Sequence, residues 1–258
     1  MSATDNVIPV PAVVLIAALP EETNTLLKRI GARRQGRLAG FPLFSGRVGG
    51  QELLLLQSGM GPKNAGAATR AILDLGSPEL IINFGLGGAV APGPQVADLV
   101  VATRLLVKDS NGFGEQAGVN QSLANAFIIC IGNNRCRTGT FVTAGETMPK
   151  AALRSALPAG TETPVLEMET AAIAGATGER GVPLLAIRAI SDDSDEELGF
   201  TVAEFCDENL QLRPLKVFLT ILKRPGIIPQ LIRLAGSSSR AAETLATAII
   251  TFLEQRDA

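Results

Sequence analysis

Segments of continuous apolar, often β-branched residues alternate with amphipathic segments along most of the chain. The apolar segments predict buried strands, and the amphipathic ones predict helices. The predicted strands cover residues 12–18, 41–48, 52–57, 79–84, 98–107, 139–143, 164–168 and 183–189; the predicted helices cover residues 22–30, 65–75 and 170–178, with mostly helix from about 202 onward. This alternation predicts an α/β fold, a three-layer α/β/α sandwich around a mixed, mainly parallel central sheet. Residues 1–258 are predicted as a single domain with a helical C-terminal extension at about 211–258.

The amino-acid composition excludes several kinds of chemistry. Hydrophobic residues make up 46% of the chain and charged residues 19%, which is enough apolar material for a large core. The chain has no histidine, so serine–histidine triads, cysteine–histidine pairs and histidine-ligated zinc are excluded. Proton transfer near neutral pH must then fall to carboxylates, lysine, cysteine or bound water. The lack of tyrosine and tryptophan and a net charge of −2 argue against nucleic acid as a partner.

The cysteines and the N-terminal segment predict a cytoplasmic protein. Three cysteines without a CxxC spacing fit a reducing compartment better than a disulfide framework. The apolar stretch at 7–19 contains two prolines, runs into acidic residues and is too short to span a bilayer. We therefore expect neither a membrane anchor nor a secretion signal in this stretch.

Carboxylates and glycines lie where the predicted strands end, at the edge where parallel sheets carry their ligand sites. Acids follow three strands, at 21–22, 167–169 and 192–193, and glycine-rich segments follow two, at 58–64 and 85–88. These glycine turns match no phosphate-binding motif, so both are interpreted as allowing tight packing between a strand and a helix. The sequence therefore predicts a carboxylate site for a polar small molecule at this edge.

Each charged candidate also has a purely structural interpretation. Glu22 lies in the first turn of a predicted helix, where the helix dipole favours acids. Arg188 lies within an apolar strand, where a cation needs a carboxylate partner such as Glu167 or Glu169. That ion pair could serve stability alone, or it could also hold a water or a substrate oxygen. Asp192 opens an acid-rich stretch that reads mostly as a solvated loop, but it lies nearest the strand end.

Five segments resemble the purine nucleoside phosphorylase and nucleosidase superfamily, in particular its methylthioadenosine/S-adenosylhomocysteine nucleosidases. They are VLIAALPEETNTLL at 14–27, LIINFGLGG at 80–88, ADLVV at 97–101, LEMETAAIA at 166–174 and RAISDDSD at 188–195. The last two are the most specific, because they occur in the expected order with a predicted strand between them. The resemblance implies a nucleoside phosphorylase-like fold and cleavage of the N-glycosidic bond between ribose and a purine, with no metal or organic cofactor.

The resemblance also implies roles for the candidate residues. Asp192 would protonate N7 of the departing purine, which requires a neutral or proton-sharing carboxyl favoured by burial and neighbouring acids. Glu22 would position and deprotonate the attacking water, and Glu169 and Arg188 would complete the cradle of that water. Glu169 would hold the ribose 3′-hydroxyl and Met168 would pack against the sugar. The full substrate-binding set comprises Met168, Glu169, Glu167, Ser191, Met148, Gly87 and Leu86.

Several departures from the nucleosidases bear on substrate and reaction. Leu86 stands where their glycine turn has a serine, which removes a polar contact from the nucleophile pocket. Met148 and Pro149 stand where they carry an aromatic purine clamp, and the loop at 108–120 is shortened. The arginines that bind phosphate in the phosphorylases have no counterpart in the segment ALPEE at 18–22. Hydrolysis is therefore favoured over phosphorolysis.

The segment at 213–235 points to a lipid-linked substrate. It carries five basic residues and no acid among apolar residues, and it resembles the ending of hopanoid-biosynthesis-associated phosphorylases. That resemblance makes adenosylhopane, a lipid with an adenosine head, the leading substrate, and it predicts a peripheral membrane contact through this segment. The competing interpretation is a helix packed on the protein body.

Three alternatives for function stay open. The substrate could be methylthioadenosine, S-adenosylhomocysteine or futalosine, and the reaction could depend on phosphate. In a different class, the chain could be a non-catalytic nucleoside-binding protein. The resemblance also implies a homodimer.

Overall fold

The computed structural model describes residues 9–132, 134, 136–145, 148–195, 202–205, 216, 220 and 223–256. The strands in this part of the chain are β1 (Val13–Ala17), β2 (Arg33–Leu38), β3 (Phe41–Val48), β4 (Gln51–Gln57), β5 (Leu80–Ala89), β6 (Leu99–Asp109), β7 (Gly112–Gln116), β8 (Cys136–Ala144), β9 (Val165–Glu167) and β10 (Leu184–Asp192). The helices are α1 (Pro20–Arg29), α2 (Pro62–Leu75), α3 (Gln121–Ile131), α4 (Lys150–Ala156), α5 (Thr170–Glu179), α6 (Val202–Phe205) and α7 (Ile228–Arg256), with a 3₁₀ turn at Pro225–Ile227 before α7.

All the predicted strands and the helices predicted at 22–30, 65–75 and 170–178 occur, but the sequence analysis missed β2, β7, α3 and α4. Part of the helical region expected from about 202 onward, including residues 206–215, lies outside the described residues. β2 reads RRQGRL, is almost fully exposed, and has no apolar alternation to indicate a strand. Its conformation comes from antiparallel pairing with β3. α3 had a usable signal, since the Asn120 side chain caps it by accepting a hydrogen bond from the Leu123 amide at 3.0 Å.

The strands form one mixed sheet that closes on itself at one end. β4, β1, β5 and β10 are parallel neighbours, and β3 and β2 extend the sheet antiparallel beyond β4. β5 also pairs with β9, β9 with β8, β8 with β6, and β6 with β10, so five strands form a ring. The predicted α/β fold with a mixed central sheet is confirmed. The ring was not predicted, because hydrophobic periodicity does not specify pairing partners.

Helices cover both faces of the sheet. Val13 and Leu15 of β1 belong to a core shared with α1, α3 and α7, whereas Val14 and Ile16 belong to a second core shared with α2 and α5. All four residues are fully buried. A strand buried on both faces explains why the sequence shows a continuous apolar run instead of alternation.

The C-terminal helix α7 has two unlike halves. Residues such as Leu245 and Ile249 in its second half lie in the core, whereas Ile228 and Ile232 near its start are 38% and 69% exposed. Residues 213–215, 217–219 and 221–222 of the predicted basic segment lie outside the described residues. Among the helices that the structure describes, none is long and apolar enough to cross a membrane.

Candidate active site

A buried ion pair organises one half of the site. Arg188, in the middle of β10, is 1% exposed, and its Nη2 donates to Glu167 Oε2 at 2.6 Å and to Thr170 Oγ1 at 2.9 Å. The same Glu167 oxygen accepts the backbone amides of Glu169 and Thr170 at 2.9 and 2.8 Å. Hydrogen bonds on both partners compensate the loss of water around a buried ion pair. The carboxylate partner expected for Arg188 is thus Glu167, at the end of β9.

Glu169 lies next to this pair, at the start of α5. Its Oε1 accepts the Gly61 amide at 2.9 Å, and its Oε2 lies 3.7 Å from Arg188 Nη2. Gly61 has a positive φ of 88°, so the segment at 58–64 contains the tight turn that the sequence predicted, directly before α2. This turn presents a backbone donor to a carboxylate that is 8% exposed.

Glu22 lies in the first turn of α1, and its carboxylate accepts hydrogen bonds from three backbone amides outside that helix. Its Oε2 accepts from Ala18 and Leu19 at 2.9 Å each, and its Oε1 accepts from Leu86 at 2.8 Å. Leu86, where the sequence predicted a lost polar contact, thus contributes one through its backbone. A comparison of side chains alone could not have found this contact, because the donor is the same for any residue except proline.

The three carboxyl groups around Arg188 differ in their affinity for protons. Burial raises the pKa of Glu169 to about 8, and the charges of Glu167 and Glu22 act in the same direction against that of Arg188. Burial also raises the pKa of Glu22, opposed by the Arg188 charge. Burial disfavours the ionised form of Glu167, but Arg188 and the Thr143 and Thr170 hydroxyls outweigh it and hold its pKa below the ordinary value. This half of the site therefore retains a proton near neutral pH.

The glycine segment at 85–88 lies inside β5, so its description as a turn is wrong, whereas close packing against a helix does occur at Gly85. A Cβ on Gly85 would lie 2.5 Å from Glu22 Oε1, and one on Gly88 would lie 2.8 Å from Asp192 Oδ2. At Gly87 a side chain is excluded by a different neighbour, because a Cβ there would lie 2.5 Å from a Val165 methyl group. Glycine at these positions lets carboxylates approach the strand backbone closely.

Asp192 ends β10 on the other half of the site. A β-bulge after Ile190 places Asp192 opposite Gly88 in the β5–β10 pairing. Ser191 Oγ lies 2.5 Å from Asp192 Oδ1, in the position to donate to it and orient it. Asp192 is 7% exposed, so its carboxylate needs partners from the protein.

Lys150 is the residue that the sequence analysis missed. It is the first residue of α4, is 4% exposed, and forms an ion pair with Asp192 Oδ2. The sequence analysis expected acids beside Asp192, and the structure instead brings a cation to it. The signal available was a lysine directly after the predicted purine clamp at 148–149, but nothing in the sequence indicated that it would be buried.

The remaining predicted residues are placed as follows. Met168 lies between Glu167 and Glu169 in the chain and is half-buried. Met148 is half-buried and packs against a small core cluster that includes Leu106 and Val142. The Gly87 carbonyl lies 3.4 Å from Ser191 Oγ. Residues 146–147 and 196–201 lie outside the described residues.

Together, the two halves provide the parts of an acid–base centre without histidine. A glutamate fixed by amides can accept a proton, and an aspartate oriented by a serine and a lysine can deliver one. The fold and the site therefore define an α/β protein with a carboxylate centre at the carboxyl ends of its strands. The phosphorylase superfamily model matches residues 12–223, and the chain belongs to that superfamily. The family predicted from the sequence is confirmed.

Relatives and solved structures agree with this placement. The 5′-methylthioadenosine/S-adenosylhomocysteine nucleosidase of Exiguobacterium sp. is 29% identical over 227 residues, which cover 81% of this chain and 97% of that protein. The enzyme of the same name from Haemophilus influenzae is 29% identical over 217 residues, which cover 74% and 90%. The prediction that the chain is an enzyme of this superfamily is confirmed.

Two solved structures show the shared fold. The Streptococcus pyogenes S-adenosylhomocysteine nucleosidase in complex with 5-methylthiotubericidin has a TM-score of 0.71 at 23% identity, covering 96% of this chain and 98% of that one. The futalosine hydrolase of Helicobacter pylori has a TM-score of 0.71 at 18% identity, covering 95% and 98%. At these identities the likeness concerns the fold.

Proposed function

We propose that the protein hydrolyses the N-glycosidic bond of an adenine nucleoside and releases the free base. One observation carries the proposal: β10 supplies both Arg188, which pairs with a cluster of carboxyl groups, and Asp192, which pairs with Lys150. We assign the cluster to the sugar side of the substrate and Asp192 to the base. Relatives of nearly the same length that are nucleosidases support the same type of reaction.

Each part of the site then has a defined task. As the bond from C1′ to the purine breaks, Asp192 protonates N7, so the base leaves without a negative charge. Glu22 takes a proton from the water that adds to C1′, and its amide contacts hold it in one orientation. The protonated Glu169 hydrogen-bonds the ribose 3′-hydroxyl. Arg188 keeps Glu167 ionised, and the Glu167 carboxylate holds Glu169 in place by accepting the Glu169 backbone amide.

Water suits this site better than phosphate as the nucleophile. Arg188 is already paired with Glu167, and Lys150 is already paired with Asp192. The sugar side is lined by carboxyl groups, which oppose the approach of a phosphate dianion. Tight phosphate binding uses cationic donors that are not consumed by protein carboxylates. We therefore place hydrolysis ahead of phosphorolysis.

For the 5′ substituent we propose a lipid tail, with adenosylhopane the leading substrate. The supporting observation is that Ile228 and Ile232 at the start of α7 are exposed and that Lys223, which precedes them in the chain, is exposed as well. Apolar and basic side chains on one surface favour anionic lipid headgroups. A small thio-nucleoside is the second candidate, because the named activity of the Exiguobacterium relative is 5′-methylthioadenosine/S-adenosylhomocysteine cleavage.

The test measures adenine release by chromatography from methylthioadenosine, S-adenosylhomocysteine and a lipid-tailed adenosine in detergent micelles, each with and without phosphate. We expect release without phosphate, fastest from the lipid-tailed compound. Asp192→Asn should lower turnover by about 10²–10⁴-fold while nucleoside binding persists. The matched control is Asp74→Asn, whose side chain is 65% exposed and pairs with Arg180 at the surface; this variant should keep full activity.

Other results would redirect the proposal in defined ways. Release that requires phosphate would make the protein a phosphorylase. Preference for the thio-nucleosides would assign the C-terminal segment a structural role. Nucleoside binding without release of any base would favour the non-catalytic binding protein.

Membrane contact and a homodimer are part of the same proposal. Sedimentation with anionic vesicles should show binding that weakens with salt and with Ile232→Glu. Ile129→Glu on α3, which is 81% exposed, is the matched control and should leave vesicle binding unchanged. Binding that both variants keep at high salt would count against the lipid surface. Light scattering of the purified protein tests the dimer.

A further inference from the structure

The feature that the proposed function does not yet use is Lys150. A lysine that is 4% exposed loses most of its hydration, so its burial requires strong partners. Lys150 Nζ pairs with Asp192 Oδ2 and lies 2.6 Å from the Asp193 carbonyl oxygen and 3.3 Å from the Asp192 carbonyl oxygen. These three acceptors match the three N–H donors of an ammonium group. The lysine is therefore fixed and aimed at one carboxylate.

The surrounding backbone makes room for this pair. A Cβ on Gly88 would lie 2.8 Å from Asp192 Oδ2 and 3.1 Å from Lys150 Cε. On the opposite oxygen, Asp192 is contacted by Ser191 Oγ at 2.5 Å. Asp192 is thus held from both sides, by a hydroxyl on Oδ1 and by an ammonium on Oδ2. These two contacts fix the orientation of the carboxyl group in which Lys150 meets one of its oxygens.

We propose that Lys150 positions Asp192 and supplies, through it, the proton that leaves with the purine; this rests on the proposed function. When the bond from C1′ to N9 breaks, its electron pair passes to the base. N7 takes a proton from Asp192, which takes one from the Lys150 ammonium. The water oxygen bonds to C1′ and gives a proton to Glu22. Solvent then returns a proton to Lys150 and removes the one on Glu22, so the net reaction consumes one water.

The test compares two leaving groups on the same enzyme. Methylthioadenosine needs protonation of its base, whereas 4-nitrophenyl β-D-riboside releases a stable phenolate without it. Lys150→Met should lower kcat/KM by about 100-fold or more on the nucleoside and by less than about tenfold on the nitrophenyl riboside. Lys150→Arg, which keeps a cation, should recover part of the loss. Lys28→Met, an exposed lysine on α1, is the matched control and should change neither rate.

Affinity provides a second readout. Lys150→Met should keep its Kd for the nucleoside, because the lost proton transfer occurs only in the transition state. Equal losses on both substrates together with weaker binding would show a merely structural lysine and overturn the inference. Full activity of Lys150→Met would also overturn it while leaving the proposed function intact. A wild-type protein that cleaves no nucleoside would instead overturn the proposed function itself.

Discussion

The site contains two buried cations in different surroundings. In the arginine cluster, Arg188 is surrounded by the three carboxyl groups of Glu22, Glu167 and Glu169, whereas in the lysine pair Lys150 meets the single carboxylate of Asp192. The cluster has more acids than cations, and one of its carboxyl groups keeps a proton near neutral pH. Burial, together with the charges of Glu167 and Glu22, keeps that proton on Glu169.

The arginine cluster and the lysine pair also both pack against glycines of the same strand, β5. Gly85 leaves space for a carboxylate of the arginine cluster, and Gly88 leaves space for the lysine pair. Both depend on β5 lying next to β10, so the water side and the base side of the proposed reaction share one rigid support. Changes that separate the two regions are therefore the most informative.

The largest expected effect is the removal of the arginine from its cluster. Arg188→Met leaves Glu167 as an uncompensated buried charge, so the free energy of unfolding should fall by about 3–5 kcal/mol. Urea denaturation of the variant and the wild type measures this loss of stability. The control Arg47→Met breaks an ion pair whose side chains are 62% and 71% exposed, and such exposed pairs contribute about 0–1 kcal/mol. Similar losses in both variants would contradict the assigned role of burial.

Adding one methyl group to either glycine should have the next largest effect. Gly85→Ala drives a Cβ against Glu22, and Gly88→Ala drives one against Asp192 and Lys150. Overpacking of this kind costs about 1–3 kcal/mol of stability, again measured by urea denaturation. At Gly114 in β7 a Cβ would meet nothing within 4 Å. Gly114→Ala should therefore leave stability nearly unchanged, and a comparable loss there would refute the packing argument.

The excess of acid in the arginine cluster predicts a pH dependence of stability. With a pKa of about 8, Glu169 stays protonated in the folded protein over a range where the unfolded chain, with its ordinary value of 4.5, has released the proton. The folded state then binds more protons, so the stabilising contribution of Glu169 is full below about pH 4.5 and is lost as pH rises towards 8, by at most about 1.4 kcal/mol per pH unit. The raised pKa of Glu22 acts in the same direction.

Glu169→Gln should flatten this dependence between pH 5 and 8, which thermal or urea unfolding at several pH values would measure. Glu52→Gln, at a carboxylate that is 71% exposed, is the control. If the free energy of unfolding of Glu169→Gln changed with pH as steeply as that of the wild type, the proton of the cluster would be held by a group other than Glu169.

The smallest effect is expected from the residue that departs from the nucleosidases. Leu86→Ser should change turnover little, because Glu22 is held by the Leu86 backbone amide, which the substitution keeps. For comparison, Glu22→Gln should lower turnover by about 10²–10⁴-fold. Steady-state kinetics on one nucleoside compares the two variants. A large gain in turnover in Leu86→Ser would show that the serine hydroxyl matters more than the amide.

Much of the site followed from local patterns in the sequence. Glu22, Glu167, Glu169 and Asp192 stand at or shortly after the end of an apolar strand, whereas Arg188 lies within one. These positions are set by the hydrophobic residues of the strands themselves. The glycines at 85–88 were recognised but wrongly assigned to a turn. A glycine required by a neighbouring side chain and one required by a positive φ look the same in a sequence.

The sequence by itself determined the α/β fold, the absence of histidine chemistry, the family and the order of the acids along the chain. The tertiary structure decided which acid pairs with which cation, that five strands close into a ring, and that Lys150 reaches Asp192. Hydrophobic periodicity encodes which residues are buried, since burial depends on each residue and its near neighbours. Partners more than forty residues apart, such as Lys150 and Asp192, meet because of how the strands pair, and a local pattern does not contain that pairing.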